Sequence, residues 1–213
     1  MNDITTVRCL RREFAEGYRT ACELIEVCTE QHVPNYLAYA KVQRGWTVAM
    51  QGELDGGIEE MSRSLAPYRA LGLERHCMQL LTMLAEALLA RGRIEEGLDA
   101  VAEAERLLTT TEEIRWAPEV HRMRGRLLLA RSPAEGTAAE KAFETALADA
   151  RAQKALSLEL RAATDLSRLY CAEHRGTQAR ELLIPVVARI AGGSDLQDLR
   201  DAQQVLESAK AVR

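Results

Sequence analysis

Apolar side chains recur at i, i+3 and i+4 spacing along most of the chain, which is the pattern of helices with one buried face. No segment alternates convincingly between apolar and polar residues with the period of two that a half-buried strand shows. The pattern therefore predicts an all-α fold. The eleven predicted helices span about residues 4–15, 17–31, 35–51, 54–71, 74–91, 94–109, 116–131, 134–153, 156–173, 176–191 and 195–211.

One stretch of sequence recurs at a fixed offset. Residues 45–58 are GWTVAMQGELDGGI, and residues 85–98 are AEALLARGRIEEGL. A third copy begins at Gly125, and the interval from Ala85 to Gly125 equals the interval from Gly45 to Ala85. A fourth copy begins at Ser167, after a slightly longer interval. A period of this length is typical of arrays of helix pairs, in which each repeat is one supersecondary unit.

Small residues occupy two places in each copy, one in the middle of the first helix and one near the start of the second. Two helices approach closely only where no large side chain separates them, and glycine inside a helix costs about 0.5–1 kcal/mol relative to alanine. The recurrence of small residues therefore indicates a packing contact. They are Gly45, Ala85, Gly125 and Ser167 at the first place, and Gly57, Gly97, Ala142 and Ala179 at the second. A weaker copy upstream puts Ala21 at the second place, at a shorter interval before Gly57.

These repeats predict one domain, residues 1–213, built from about five helix pairs and a C-terminal capping helix. The last helix carries its apolar residues on one face, as the end of a repeat array requires. Pairs stacked in series form a curved slab with a hollow side. The pairs cover about residues 4–31, 35–71, 74–109, 116–153 and 156–191, and the capping helix covers about 195–211.

The small residues at both places, with Gly52 and Gly92 between the paired helices, resemble the pattern of tetratricopeptide repeats. That resemblance implies a right-handed superhelical solenoid of α-α repeats. The chain departs from the family in its longer period, since the interval from Gly45 to Ala85 exceeds the family's usual repeat of about 34 residues, and in lacking a regular closing proline. The length of the predicted helices accounts for the longer period.

A narrower likeness rests on phrases that stand in a particular order along residues 15–210. They include Gly45-Trp46, Leu84-Ala85-Glu86-Ala87, Gly92-Arg93 and Leu158-Glu159-Leu160-Arg161. With them the chain resembles the C-terminal helical-repeat region of large bacterial signalling proteins, which also carry a STAND-type ATPase module and an adenylate cyclase or DNA-binding transcription-regulator domain. The chain has no Gly-x-x-x-x-Gly-Lys-Ser/Thr phosphate loop, so the resemblance implies no ATPase or cyclase activity for these residues.

The composition excludes several classes of protein. The 213 residues are 47% hydrophobic and 28% charged with a formal net charge of −4, and they lack the basic character of most nucleic-acid binders. The sequence contains no apolar run long enough for a membrane span and no signal peptide, and its five scattered cysteines form no Cys-x-x-Cys pair. We therefore expect reduced thiols in a cytoplasmic protein, which the resemblance places in bacteria, with no nucleic acid and no membrane among its partners.

Catalytic chemistry finds little support in the sequence. The four histidines show no paired-ligand spacing such as His-Glu-x-x-His, and no base is evident beside any cysteine. The adjacent glutamates at 59–60, 95–96 and 112–113 fall at solvent-facing or first-turn positions, where negative charge offsets the helix dipole. We expect no enzyme activity, no cofactor and no metal ion.

The hollow side of the array is the candidate binding surface, because the first helices of successive pairs would line it. Residues 1–111 hold 12 basic and 17 acidic groups, whereas five arginines fall between 115 and 131. Trp and Arg are common binding anchors, and the Arg fork suits carboxylate or phosphate groups. The candidate partner-binding residues, counted from the small residue in each first helix, are Tyr39, Trp46, Glu86, Arg122, Arg126, Arg161 and Arg168.

The same candidates have an interpretation that involves no partner. The four arginines can instead pair across neighbouring helices with internal carboxylates and so hold the stack together. Trp46 can equally fill the core between the first pairs. The carboxylates that the sequence offers for internal pairing are Glu86, Glu119, Glu159 and Asp165.

The predicted fold implies one function, and the resemblance implies another. The first is a non-catalytic scaffold that binds a protein or peptide on its concave face. The alternative is an effector-sensing regulatory arm of a larger signalling ATPase, adenylate cyclase or transcription regulator, in which the partner is a neighbouring signalling module. A homo-oligomer is compatible with either function.

Overall fold

The computed structural model of the protein describes residues 2–70, 76–111, 113–190 and 196–211. These ranges contain eleven α-helices, one short 3₁₀ turn at Pro133–Glu135 and no strand, so the all-α prediction is confirmed for them. The helices are α1 Asn2–Leu10, α2 Phe14–Glu30, α3 Pro34–Met50, α4 Leu54–Ala70, α5 Cys77–Arg91, α6 Ile94–Thr110, α7 Ala117–Arg131, α8 Gly136–Ala152, α9 Leu156–Ala172, α10 Gly176–Ile190 and α11 Gln197–Ala211. The predicted helix ends at 71, 74, 191 and 195 lie outside the described residues.

The chain forms two compact units. Unit 1 is Met1–Glu113 and contains α1–α6, and unit 2 is Ile114–Arg213 and contains α7–α11. Within each unit, helices that follow one another in sequence pack together, which is the arrangement expected of serial helix pairs.

The bounds of the helices repeat with the period seen in the sequence. In unit 1 the second helices of successive pairs begin at Phe14, Leu54 and Ile94, which are evenly spaced. In unit 2 they begin at Gly136 and Gly176, and the interval between these two starts is the same as in unit 1. Short turns join several of the helices, and such turns require the neighbours to run antiparallel.

The first pair follows the same period, which corrects the weaker alignment through Ala21. The interval from Gly17 to Gly57 equals the interval from Gly57 to Gly97. A Cβ atom on Gly17 would lie 3.7 Å from the sulfur of Cys9, just as one on Gly57 would contact Ala49. Gly17 therefore fills the small-residue place of the first pair, and Ala21 lies one turn further along α2.

Paired helices cross where side chains are missing. A Cβ on Gly57 would lie 2.6 Å from the backbone nitrogen of Ala49, and a Cβ on Gly45 would lie 2.8 Å from the carbonyl oxygen of Gly57. In unit 2 a Cβ on Gly125 would lie 2.5 Å from Cε1 of the Phe143 ring. Because real Cβ atoms do not approach other atoms this closely, each contact requires glycine or a shift of the neighbouring atoms.

The turn between paired helices also recurs. Gly52 and Gly92 follow α3 and α5 with φ angles of 112° and 81°, in the left-handed region that favours glycine. Arg12 and His174 hold the same place after α1 and α9, with φ angles of 58° and 60°. The backbone turn is therefore shared by these four pairs, whether or not glycine supplies it.

Each unit buries its own apolar side chains between the paired helices. The largest fully buried apolar residues include Ile58, Met61, Met78, Leu80 and Leu81 in unit 1, and Met123, Phe143, Leu160, Leu166 and Leu183 in unit 2. Burial of a side chain of this size contributes about 1.5–3 kcal/mol, so these contacts are the main source of stability.

Replacing Gly57 by alanine should lower the free energy of unfolding by about 1–3 kcal/mol, because the added methyl group forces α4 away from α3. Urea denaturation followed by circular dichroism measures the change. Gly56→Ala is the matched control, since its Cβ would meet no atom within 4 Å and alanine is the better helix former. We expect the control to gain about 0.4–1 kcal/mol. Equal effects of the two substitutions would contradict the close-crossing interpretation.

Candidate functional site

The seven candidate residues all lie on the first helices of their pairs. These helices are α1, α3 and α5 in unit 1, and α7, α9 and α11 in unit 2, and in each unit they contact one another in sequence. We call these two sets of helices the first-helix rows. The candidates belong to α3 (Tyr39, Trp46), α5 (Glu86), α7 (Arg122, Arg126) and α9 (Arg161, Arg168).

Arg122 is the most deeply buried of the candidate arginines, with only 3% of its surface exposed. Its Nε and Nη2 donate to the two carboxylate oxygens of Glu119 at 2.9 and 2.8 Å. Its Nη1 donates to Oδ2 of Asp165 on α9 at 2.7 Å. The fork of this guanidinium is therefore occupied by two internal carboxylates, and it links α7 to α9.

The ion pairs continue from α9 to α11. Arg161 donates from Nε to Oδ2 of Asp198 at 2.7 Å, and its Nη1 lies 3.6 Å from Oε2 of Glu119. Arg168 donates from Nη1 to Oδ1 of Asp165 at 2.7 Å, although its side chain is 47% exposed. Acidic and basic groups thus alternate across three neighbouring helices, and we call this set the α7–α9–α11 ion network.

Asp165 lies at the centre of the network. Burial by itself raises the pKa of Asp165, but the guanidinium groups of Arg122, Arg126 and Arg168 outweigh that effect and hold its pKa below the ordinary value. The carboxylate is therefore charged at neutral pH, and its removal would leave the buried guanidinium of Arg122 paired with Glu119 alone.

Two of the four carboxylates proposed for internal pairing, Glu119 and Asp165, do belong to this network. The other two pair elsewhere. Glu86 accepts a hydrogen bond from Nη2 of Arg12 at 3.0 Å. The carboxylate of Glu159 accepts from Arg151 and Arg189 at 3.0 and 2.8 Å.

Tyr39 belongs to a neutral network in unit 1. Its hydroxyl donates to Oε1 of Gln79 on α5 at 2.6 Å and lies 3.0 Å from Oγ1 of Thr6 on α1. Gln43 donates from Nε2 to the same Thr6 oxygen at 3.0 Å. Burial raises the pKa of Tyr39, so the phenol stays protonated. Because the side chain is buried, its ring is not accessible to a partner.

Trp46 lies in the core of unit 1. Only 4% of its surface is exposed, and its ring meets the edge of Phe14 with centroids 5.4 Å apart. Its indole N–H finds no acceptor among the described residues. The structure therefore places Trp46 as a core side chain between α2 and α3.

A groove in unit 1 lies outside the predicted site. It has a volume of about 730 Å³ and runs between α3 and α4. We call it the α3–α4 groove. Its lining residues are Pro34, Leu37, Ala38, Lys41 and Arg44 from α3, and Gly56, Glu59, Glu60, Arg63, Ser64 and Pro67 from α4.

The charges of this groove are only partly paired. Arg44 forms an ion pair with Glu60, and Arg63 lies 3.1 Å from Glu59 in an exposed pair that contributes little. Lys41 forms no hydrogen bond or ion pair with the residues that the structure describes. The groove therefore offers one half-buried ammonium group for a ligand.

Sequence reasoning missed the α3–α4 groove because it followed the first helices alone. One signal was available, since Gly56 stands directly before the packing glycine Gly57 yet serves no close contact. A smaller groove of about 450 Å³ lies in unit 2, where Leu147, Leu166 and Leu182 of α8, α9 and α10 contribute to its lining.

The described ranges show no group of three or more His, Cys, Asp or Glu residues that could hold a metal ion. Burial raises the pKa of the Cys9 thiol to about 12, so this cysteine is a protonated core residue. Among the described helices, none has the length and apolar character needed to cross a membrane.

Asp165→Asn should destabilise unit 2 by about 3–5 kcal/mol near neutral pH, because Arg122 would stay buried with half of its partners. The pKa of Asp165 is depressed on folding, so its stabilisation is present above the unfolded value of about 3.9 and disappears as the pH falls through the folded value. The destabilisation caused by the substitution should therefore shrink in acid. Hydrogen exchange of α7 and α9, measured at about pH 7 and about pH 3, tests both expectations.

Asp55→Asn is the control for this substitution. Asp55 also pairs with an arginine, Arg91 at 2.7 Å, and that hydrogen bond lowers its pKa. Both side chains are exposed, so we expect little change in stability at either pH. A loss as large as that of Asp165→Asn would show that burial does not determine the strength of these pairs.

Tyr39→Phe should destabilise unit 1 by about 1–3 kcal/mol, because Oε1 of Gln79 loses its buried donor. The hydrogen-bond partners in this network are neutral, but the ring of His76 lies 5.2 Å from that of Tyr39, so the two measurements should both lie above the range in which histidine ordinarily titrates. We expect the same loss at about pH 8 and about pH 9. Urea denaturation at the two pH values measures it. A loss that changes between them would contradict a neutral network.

Comparison with known proteins does not place this chain in a family. The sequence matches none of the protein-family models, and a search of curated proteins finds no significant match.

Proposed function

We propose that the chain is a non-catalytic binding scaffold, in which helix pairs form a right-handed solenoid of the tetratricopeptide kind and hold a peptide in the α3–α4 groove. The observation that carries this proposal is the unpaired Lys41 inside a groove of about 730 Å³. The volume of the groove falls within the range of about 300–1,000 Å³ that is typical of ligand sites.

The groove fits a short extended segment. It runs along α3 from Pro34 to Arg44, a distance of about 15 Å at 1.5 Å rise per residue. An extended peptide rises about 3.3 Å per residue, so the groove accepts about four or five residues. Both walls are helices that are paired through the Gly45–Gly57 crossing, which makes the groove largely preformed.

The lining indicates which peptide fits. Pro34, Leu37 and Pro67 lie at one end, since α3 and α4 run antiparallel, and this end suits an apolar side chain. Lys41 lies nearer the middle and suits a carboxylate. We therefore propose a ligand segment in which an acidic residue stands next to an apolar one.

The first-helix rows are a weaker candidate surface than sequence reasoning assumed. Tyr39, Trp46 and Arg122 are buried, and the carboxylates of the α7–α9–α11 ion network occupy the guanidinium of Arg122. Arg168 alone among the candidate arginines has an exposed side chain, and it already pairs with Asp165. Binding there would have to displace internal ion pairs.

The alternative function, an effector-sensing regulatory arm, requires a surface that meets a neighbouring module. One observation favours it, namely an exposed apolar face on α1 formed by Ile4 and Val7. That face is independent of the α3–α4 groove.

Gly56→Trp is the test of the groove. The Cβ of Gly56 points into open space, so the indole fills the groove and the fold should keep its melting temperature within a few degrees. Peptides selected by the purified chain from a random phage-displayed library should bind the variant at least about tenfold more weakly. Ala66→Trp is the matched control, because Ala66 is exposed on α4 outside the groove.

Lys41→Glu tests the charge preference, and Lys141→Glu, at an exposed position of α8, is its control. The selected peptides should contain an acidic residue. Only the Lys41 substitution should weaken the binding of these peptides, by about tenfold or more. The proposal fails if the library yields no binders, or if binding survives both Gly56→Trp and Lys41→Glu.

A further inference from the structure

The first helix of unit 1 leaves an apolar face uncovered. Ile4 and Val7 lie one turn apart on α1, and each is 51% exposed. Two large aliphatic side chains on one exposed helix face are a feature of interaction surfaces.

The repeat shows that this place is interior in later pairs. Val7 corresponds to Thr47 and Ala87 in the next two repeats, and both are fully buried. Ile4 corresponds in the same way to Arg44 and Leu84, and Leu84 is buried. The equivalent positions in α9 of unit 2 are Leu166 and Leu169, which are also buried.

The helix that covers this place in α3 is the second helix of the preceding pair. A Cβ on Gly17 of α2 would lie only 3.2 Å from the methyl group of Thr47. Further along α2, Leu24 and Cys28 pack in one buried cluster with Ala40 of α3. A small residue at the crossing, followed by apolar residues two and three turns later, is therefore what this face accepts.

We propose that Ile4 and Val7 form a docking surface for a partner helix pair of the same repeat kind, whose second helix places a small residue over Val7. The partner continues the stacking by which α2 covers α3, so its contacts are those already present inside unit 1. This proposal does not rest on the α3–α4 groove.

Head-to-tail stacking through α11 of a second copy of the chain does not fit this surface. The exposed side chains of α11, the last helix of unit 2, are polar apart from Ala211 at its end, as a capping helix requires. They include Gln203, Gln204, Glu207, Ser208 and Lys210. Stacking this face on Ile4 and Val7 would bury polar groups against aliphatic ones.

A tandem chimaera tests the fit with a probe of known structure. It carries an extra copy of residues 2–41 directly before Asn2, so that the extra segment supplies α1, α2 and the first part of α3. Asn2 and Val42 are equivalent positions of successive repeats. The junction between Lys41 of the extra copy and Asn2 therefore reproduces the natural junction between Lys41 and Val42. The extra α2 is placed over Val7 as α2 lies over Thr47.

We expect the extra α2 to be protected from hydrogen exchange at least about tenfold relative to an unfolded peptide, with the rest of the chain unchanged. Ile4→Glu with Val7→Glu in the original copy should remove that protection. The same pair of substitutions in the unextended chain should leave its melting temperature unchanged, since both side chains are exposed there. Val27→Glu with Tyr36→Glu, at positions of similar exposure in unit 1, is the control that should retain protection.

Three results would overturn the proposal. The first is a chimaera whose extra helices exchange as an unfolded chain does, and the second is one that fails to fold. The third is a dimer of the unextended chain, measured by light scattering, that Ile4→Glu with Val7→Glu dissociates, because that would assign the surface to a second copy.

Discussion

The structure depends on one steric constraint, which is the close crossing of two antiparallel helices at a point occupied by small residues. At Gly57 the backbone of α4 approaches the backbone of α3 near Gly45 and Ala49. This contact determines both the distance between the two helix axes and the position of one helix along the other. The helix starts at Phe14, Leu54 and Ile94 have the same even spacing as Gly17, Gly57 and Gly97. The grooves and exposed faces between the helices follow from that spacing.

Equivalent positions on the first-helix rows carry different chemistry in the two units. Tyr39, Gln79 and Glu119 occupy the same place in successive repeats, yet the first two share a hydrogen bond between neutral groups and the third binds arginine. Unit 1 thereby joins its first helices by contacts that are insensitive to pH, whereas unit 2 joins α7 and α9 by buried charges that require an ionised Asp165. One architecture therefore accepts either solution, because the backbone crossing, and not the polar contact, determines the geometry.

The internal use of these polar side chains limits where a partner can bind. A buried guanidinium that already binds two carboxylates gains little from a third. If a partner drew the guanidinium away, the two buried carboxylates would lose their positive partner. Two surfaces that the packing leaves accessible are the α3–α4 groove with Lys41 and the face of α1 with Ile4 and Val7. The first is lined mostly by polar and charged residues, and the second is apolar. A scaffold can use both at once.

The sequence by itself determined that the chain is helical and that consecutive helices pair, because helical periodicity and steric exclusion act over a few neighbouring residues. It did not determine that Gly17 takes the place assigned to Ala21, since the two differ by one turn of the same helix face. Only the tertiary structure decided which charged groups are satisfied internally. Arg122 and Asp165 are 43 residues apart, and their contact depends on how far α9 is shifted along α7, a distance that no local pattern encodes. The same reason applies to Trp46, whose burial depends on Phe14 of a neighbouring helix, and to the groove beside Lys41.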